Sequence, residues 1–288
     1  MTLPPRHLVE DAVLHTVLPP AGAAVGVFVV GLIVFGRKAA PVTAAVAFVA
    51  ALAAALFAKP IVPWVPELTK RVEWIPVLAA AGAVAGAFGR LPRGAGWHVA
   101  AWAAVLALGV AKVCPAKFLK EPWWAVPAGA LLVTAVGLVP AALSRRYPGA
   151  GVPFAVALCL FAAGGVALHA HAALLMDLAV VTGSALLGLA LVCLFVRVDV
   201  TGGLAGASVV LGGVLLSAYY EADDECKVPG SSYLIPSLAP LALAVAYLPA
   251  VHRLSGWKLR LAQLLPIVVL LAYAIWAATA EKLDFESF

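Results

Sequence analysis

Long apolar runs separated by short polar segments make up most of the sequence. Ten of these runs approach the roughly twenty residues that an α-helix needs to cross a hydrocarbon core about 30 Å thick. The pattern predicts an all-α protein, a polytopic transmembrane helix bundle of about ten spans that forms a single integral membrane domain over residues 1–288. The predicted spans are 16–36, 39–58, 74–89, 97–113, 123–143, 152–170, 174–196, 200–220, 233–251 and 261–279. Nine or eleven spans stay open, because the gap between 152–170 and 174–196 is very short.

Aromatic residues support these boundaries independently of hydropathy. Trp and Tyr gather near the ends of the runs, as they do in the aromatic belts at membrane–water interfaces. Examples are Trp74, Trp97, Trp123, Tyr219 and Trp257. The third run is short, and Pro66 and Glu67 would let its helix begin earlier, since proline and acids favour the first helical turn.

The composition is that of a protein in lipid. Of the 288 residues, 64% are hydrophobic and 11% are charged, whereas a soluble domain is about 45–50% apolar and about 25% charged. We expect a multi-pass protein of the cell (inner or plasma) membrane, with the lipid bilayer as its main partner. The formal net charge of +5 is scattered over loops without a basic stripe, so we predict no nucleic-acid binding.

The charged residues differ between the two predicted sides of the membrane. The loops after odd-numbered spans are short and Arg-rich, and they hold a single acid, Asp199. The other side carries a similar number of Lys and Arg residues together with most of the acids. Because cytoplasmic loops are enriched in Lys and Arg, we expect the Arg-rich loops to be cytoplasmic and both termini to face outward.

The densest polar feature follows the eighth predicted span. Glu221, Asp223, Asp224 and Glu225 offer carboxylate oxygens, which are the ligands that a hard cation prefers. Their spacing lacks the order of a calcium-binding loop, so a solvated acidic loop is the simpler interpretation. The sequence contains no phosphate-binding loop, serine-hydrolase elbow or zinc-protease motif, and we predict no cofactor and no resident metal.

Asp177 is the best candidate for an ionisable residue inside a span, and such residues mark ion or substrate pathways. If its helix begins near Leu178, Asp177 is instead an ordinary N-cap. With His169 and His171 it offers transition-metal ligands, although interfacial histidines beside a helix-starting acid explain the pattern more simply. We assign Ser184 and Ser237, together with Asp177, to a candidate substrate or ion pathway.

The four cysteines fall into two groups. Cys159 and Cys193 lie in the middle of spans, where we expect them to pack as small apolar residues. Cys114 and Cys226 lie in loops on the same predicted side, so they are candidates for a disulfide in an oxidising compartment. Two unrelated free thiols are the alternative, because the sequence does not place the pair within bonding distance.

Proline marks the spans in which the helix is expected to break. Pro236 and Pro240 flank Ser237 and make the ninth span the first candidate. Pro19 and Pro20 make the first span the second candidate. Broken helices line the transport sites of several transporter folds.

Small residues indicate where helices pack closely. Gly82 and Gly86 form a small-xxx-small pattern in the third span. Such patterns let two helix backbones approach in lipid, although a chain this rich in Ala and Gly also produces them by chance.

In length and hydropathy, the ten-span outline resembles the drug/metabolite-type permeases. The ending of the eighth span at Tyr219–Glu221 and the segment Leu238–Val245 resemble uncharacterised bacterial multi-spanning membrane proteins, a likeness that implies no activity. The first resemblance implies a small-molecule permease that works by alternating access, and it transfers no site residue. The alternatives are a non-catalytic scaffold or accessory subunit of a homo- or hetero-oligomeric membrane complex, and a membrane-embedded enzyme that acts on lipid-linked substrates through residues 221–225.

Overall fold

A computed structural model of the protein describes residues 13–59, 72–88, 136–137, 139–221, 228–252, 254 and 256–283. Every regular element within these residues is helical, and they contain no strand. This confirms the predicted all-α class. The helices follow from the chemistry of the runs, because backbone polar groups in lipid must find partners within their own segment.

Nine α-helices, two 3-10 helices and a further helical segment cover most of the described chain. The α-helices are α1 (Leu18–Phe35), α2 (Ala40–Ala58), α3 (Trp74–Phe88), α4 (Gly151–His169), α5 (Ala173–Phe195), α6 (Thr201–Glu221), α7 (Gly230–Leu238), α8 (Pro249–His252) and α9 (Gly256–Leu283). A π-helical turn (Val13–Val17) precedes α1, and the 3-10 helices are Arg37–Ala39 and Ala239–Tyr247. Residues 139–146 are also helical.

Six segments of the described chain are long and apolar enough to cross a membrane. They are Leu14–Phe35, Arg37–Ala58, Gly151–His169, Ala173–Phe195, Thr201–Tyr220 and Gly256–Ala280. Two shorter apolar helices cover Trp74–Ala87 and Gly230–Ala246. The protein is therefore a multi-pass integral membrane protein.

Six predicted spans agree with the observed helices within two residues at each end, whereas α9 begins five residues before and ends four residues after the predicted span 261–279, and α7 begins three residues before the predicted span 233–251. The uncertain division between 152–170 and 174–196 is confirmed, because a turn over residues 170–172 separates α4 from α5. The predicted span 97–113 and most of 123–143 lie outside the described residues, so a total of ten spans stays a prediction. The earlier start of the third helix is not observed, since residues 72 and 73 form a turn before Trp74.

The predicted break in the ninth span is confirmed. α7 gives way to a 3-10 helix over Ala239–Tyr247, nine residues long. Pro236 and Pro240 lack an amide hydrogen, so the carbonyl of Ser232 and that of Pro236 lose their usual α-helical donors. Because 3-10 helices seldom exceed three or four residues and often mark hinges when they interrupt a helix, this element is unusual.

The first span also changes helix type at its prolines. Pro19 and Pro20 are the second and third residues of α1, which directly follows a π-helical turn over Val13–Val17. The π-helical turn before it completes the 22-residue segment Leu14–Phe35. The prolines therefore lie where the π-helical turn changes to the α-helix, within a continuous helical segment.

α6 lies at the centre of the described bundle, and its glycines allow close packing. A Cβ atom on Gly202 would lie 2.3 Å from the carbonyl oxygen of Pro41 in α2. One on Gly206 would lie 2.8 Å from the carbonyl oxygen of Ala79 in α3. Any larger residue at either position would have to push a neighbouring backbone away.

The glycine pair of the third span packs as predicted. A Cβ atom on Gly82 would lie 2.8 Å from Cγ2 of Val209, and one on Gly86 would lie 2.5 Å from Cβ of Ala205. Both neighbours belong to α6. The small-xxx-small face therefore forms the contact between α3 and α6, the geometry expected for such a motif in lipid.

The contacts between helix ends define two ends of the bundle. The start of α6 meets the start of α2 at Gly202, and Ser144 donates a hydrogen bond to Asp199. These contacts bring several Arg-rich segments to one end, which we call the basic end. Its exposed cations are Arg37, Lys38, Arg145, Arg146, Arg197, Lys258 and Arg260.

Candidate functional site

Asp177 lies in an ion pair at the end of the bundle opposite the basic end. Nζ of Lys59, the residue that caps the C-terminus of α2, donates a hydrogen bond of 2.9 Å to Oδ2 of Asp177 in α5. The Asp177 side chain is 16% exposed and that of Lys59 is 48% exposed. Because α5 begins at Ala173, Asp177 lies in its second turn and is not an N-cap.

Lys59 was not identified from the sequence as a partner of Asp177. The two residues are 118 positions apart, and Lys59 stood out only as one loop cation among several. Hydropathy places both residues near the same membrane boundary, but it does not show which helices are neighbours. The ion pair therefore depends on the packing of α2 beside α5.

The Ser184 hydroxyl is hydrogen-bonded within its own helix. It donates to the carbonyl oxygen of Val180, four residues earlier in α5. The hydroxyls of Thr182 and Ser208 make the same type of bond within their own helices. Hydroxyls that bond back in this way are satisfied locally, and they can bend a helix.

Ser237 has the same local bond in a different setting. Its hydroxyl donates to the carbonyl oxygen of Tyr233 at 3.0 Å, and this bond lies in the last turn of α7. The 3-10 helix begins two residues later, at Ala239. Ser237 therefore bonds to the α-helical side of the break, in the manner of hydroxyls that bend helices.

Two other serines stand out at the junction of α6 and α7. Ser217 in α6 is 3% exposed and Ser232 in α7 is 0% exposed. Neither hydroxyl has a hydrogen-bond partner among the described residues. A buried polar group without a partner costs about 1–3 kcal/mol, and in a native protein it calls for an explanation such as a bound ligand or ion.

Aromatic rings hold the same junction together. Tyr219 of α6 meets Tyr233 of α7 edge to face, with ring centroids 5.5 Å apart. Tyr219 also meets Tyr220 at 4.7 Å in a second T-shaped contact. The broken helix is thus joined to the central helix at a point that combines buried hydroxyls with phenol rings. We call Ser217, Tyr219, Ser232 and Tyr233 the junction site.

The basic end contains a buried acid that the sequence showed only as a loop residue. Asp199 is 5% exposed, and its Oδ1 accepts hydrogen bonds from the Ser144 hydroxyl at 3.1 Å and from the Thr201 amide at 2.9 Å. The Thr201 hydroxyl donates to the same oxygen. The sequence indicated a helix start, because an acid lies two residues before Thr201. It did not indicate the contact with Ser144.

Several predicted site residues lie outside the described part of the chain. Asp223, Asp224, Glu225, Cys114 and Cys226 fall in undescribed segments, and the side chain of Glu221 is not described either. The cation-binding loop and the disulfide therefore stay predictions. Cys159 and Cys193 are free and buried, which confirms the expectation that they pack as small apolar residues.

His169 and His171 lie at the turn between α4 and α5, near the start of the helix that carries Asp177. Within the described residues, no three His, Cys, Asp or Glu side chains come together in a way that could hold a metal ion. Comparisons with protein-family models, with curated proteins and with solved structures give no match.

Proposed function

We propose that the protein is a small-molecule permease of the cell membrane whose moving element is the broken ninth span. The observation that carries this proposal is the junction site, where two buried hydroxyls without described partners lie on α6 and on α7, the helix that ends at the break. The hydrogen bonds of a 3-10 helix have poorer geometry than those of an α-helix. The 3-10 segment can therefore change conformation at a lower cost than its neighbours.

The hydroxyls of Ser217 and Ser232 suit a polar, uncharged group of a substrate. A hydroxyl both donates and accepts hydrogen bonds, and the adjacent phenol rings add an apolar surface for the remainder of a small molecule. Transport sites in other folds are built where a helix is interrupted and its backbone groups become available. Pro236 and Pro240 remove the usual α-helical donors of two carbonyl groups on the same span.

The pair of Lys59 and Asp177 has a supporting role in this proposal. It joins α2 to α5 at the end where α6 meets α7, opposite the basic end. A partly exposed ion pair breaks and re-forms readily, because such pairs contribute little free energy. It is suited to hold the outer end closed in one state and to release it in another.

A second candidate is a non-catalytic scaffold or accessory subunit of a membrane complex. The observation that favours it is the close packing of α6, whose glycines bring the α2 and α3 backbones near. Locally satisfied hydroxyls such as that of Ser184 also fit a bundle built for rigidity. The enzyme alternative depends on residues 221–225 and stays a prediction.

Accessibility of introduced cysteines distinguishes the two candidates. All four native cysteines are replaced by alanine, and Ser217→Cys and Ser232→Cys are added singly to this background. Whole cells and inverted membrane vesicles are then treated with a membrane-impermeant thiol reagent. A permease exposes its substrate pathway to water from one side or the other, so we expect both cysteines to be labelled in at least one preparation.

Ser208→Cys is the matched control for this experiment. Ser208 lies on α6 like Ser217 and is similarly buried, with an exposed fraction of 1%. Its hydroxyl, however, is bonded to the carbonyl oxygen of Leu204. We expect it to stay unlabelled in both preparations. If Ser217→Cys and Ser232→Cys are as unreactive as this control, the permease proposal is wrong and the scaffold is favoured.

A further inference from the structure

A groove lies at the basic end between α4, α5 and α9. Its volume is about 250 Å³. The wall is apolar, and among the described residues that line it only Arg260 carries a charge. The larger apolar side chains of the lining are Phe154, Leu187, Leu191, Leu194 and Leu264.

The groove opens sideways, toward the surface that the bundle presents to lipid. Phe154 is 37% exposed, Leu191 is 46% exposed and Leu194 is 57% exposed. All three belong to helices long and apolar enough to cross a membrane. An apolar groove that opens to the bilayer is suited to hold a lipid acyl chain, because the chain and the groove wall are both apolar.

The mouth of the groove is positively charged. Arg260 is exposed and makes no ion pair with any described residue. Arg145, Arg197 and Lys258 are exposed at the same end. Among the described residues, Asp199 is the single acid at this end, where it accepts hydrogen bonds from Ser144 and Thr201, so the exposed cations outnumber it and the end has a net positive charge.

The amino end of α4 favours an anion, and so does Gln263, which lies next to the lining residue Gly151 but does not itself line the groove. The groove is lined by Ala150 and Gly151 at the amino end of α4, which has no side-chain cap, and the amino end of a helix carries a partial positive charge. The amide of Gln263 lies beside Gly151, with Oε1 3.8 Å from where a Cβ would stand. Gln263 is 5% exposed, and its Nε2 has no hydrogen-bond partner among the described residues.

We propose that this groove binds one anionic phospholipid. One acyl chain lies along the leucines of α5, and the headgroup phosphate pairs with the guanidinium of Arg260. Arginine suits this role because its planar donors match phosphate oxygens in a bidentate manner. Basic pockets between membrane helices on the cytoplasmic side bind anionic headgroups for the same electrostatic reason.

The test measures lipid binding to the purified full chain. Native mass spectrometry follows a titration with 1-palmitoyl-2-oleoyl-phosphatidylglycerol and, separately, with the phosphatidylcholine of the same chains. We expect the wild-type protein to bind one phosphatidylglycerol more tightly than phosphatidylcholine. Arg260→Gln should lose about fivefold in affinity for phosphatidylglycerol, the size of one basic residue's interaction with an anionic headgroup, and should bind phosphatidylcholine unchanged.

Two further variants separate the headgroup from the acyl chain. Arg37→Gln removes one exposed charge from the same end but away from the groove, and we expect it to keep the wild-type preference. Leu191→Trp fills the groove at an exposed position and should weaken both lipids. Equal binding of the two lipids by the wild-type protein, or equal losses in Arg260→Gln and Arg37→Gln, would overturn the proposal. The proposal would also be overturned if another protein co-purified with the wild-type chain and was lost only from the Leu191→Trp variant. A helix of that protein would then occupy the groove.

Discussion

Lys59 and Asp177 lie 2.9 Å apart between Nζ and Oδ2, although 118 positions separate them in the sequence. The contact joins the C-terminal cap of α2 to the second turn of α5. It also shows that the end of α2 and the start of α5 lie on the same side of the bundle, opposite the basic end. A residue selected as an intramembrane acid thus becomes half of an ion pair at the membrane boundary.

Exchanging the two charges should preserve this contact. We expect Asp177→Asn and Lys59→Gln each to lower the free energy of unfolding by at most about 1 kcal/mol, because partly exposed ion pairs contribute little. The double substitution Lys59→Asp with Asp177→Lys should recover most of the loss. Thermal unfolding in detergent at low and high salt measures the effect. Additive losses in a double-mutant cycle would show that the two side chains do not interact.

Packing at Gly202 should tolerate no side chain. Gly202→Ala would put a Cβ atom 2.3 Å from the Pro41 carbonyl oxygen, and we expect a loss of about 1–3 kcal/mol, the usual cost of overpacking. Gly165→Ala is the control, because a Cβ there meets no atom within 4 Å. It should be neutral or stabilising by up to about 1 kcal/mol, since Ala favours helix interiors over Gly. Equal melting temperatures for the two variants would contradict the contact.

The buried acid at the basic end should be structural. Asp199→Ala leaves the donors of Ser144 and Thr201 without their acceptor, and we expect a loss of about 1–3 kcal/mol in unfolding free energy. Asp199→Asn keeps an oxygen in the place of Oδ1 and should lose less. Melting temperatures of the two variants in one detergent provide the comparison. An alanine variant as stable as the wild type would exclude this role.

The turn between α4 and α5 should gain stability from glycine. His171 has a φ of 57°, and the amides of His171 and Ala172 bond to the carbonyl oxygens of Leu168 and Ala167, which is the Schellman pattern. His171 is exposed, so His171→Gly removes strain without removing a described contact. We expect a gain of up to about 1 kcal/mol. His171→Ala retains a Cβ and should show no such gain, which makes it the control in the same unfolding assay.

The two ends of the bundle should be chemically distinct in cells. In the cysteine-free background, Arg37→Cys and Arg197→Cys should be labelled together by an impermeant thiol reagent, and Lys59→Cys should be labelled from the opposite side. We expect the first two to react only in inverted vesicles, because the Arg-rich loops are predicted to be cytoplasmic. Labelling of Arg37→Cys and Arg197→Cys from different sides would contradict the arrangement of helix ends.

Much of the architecture was readable from local properties of the sequence. The predicted spans 39–58 and 174–196 differ by one residue at each end or less from α2 (Ala40–Ala58) and α5 (Ala173–Phe195). The prediction works because bilayer thickness sets the length of a span. The hydropathy of a segment, in turn, depends only on the residues within that segment. The break at Pro236 and Pro240 was predictable for the same reason, since the loss of an amide hydrogen is a property of proline itself.

The candidate site depended on tertiary structure. Ser184 and Ser217 are both hydroxyls within apolar helices, and the sequence favoured Ser184. The structure shows Ser184 bonded to its own helix and Ser217 buried with no described partner. Whether a hydroxyl is satisfied depends on its rotamer and on the neighbouring helix, and neither follows from hydropathy.

The sequence by itself thus determined that the protein is a helical membrane protein and where most of its helices begin and end. Only the tertiary structure decided that Lys59 meets Asp177, that Ser144 meets Asp199 and that Arg260 lines an apolar groove. The physical reason is the way helices pair in lipid. Their neighbours are selected by many weak contacts between small residues, so the polar pairs between them become visible only after the backbones have packed.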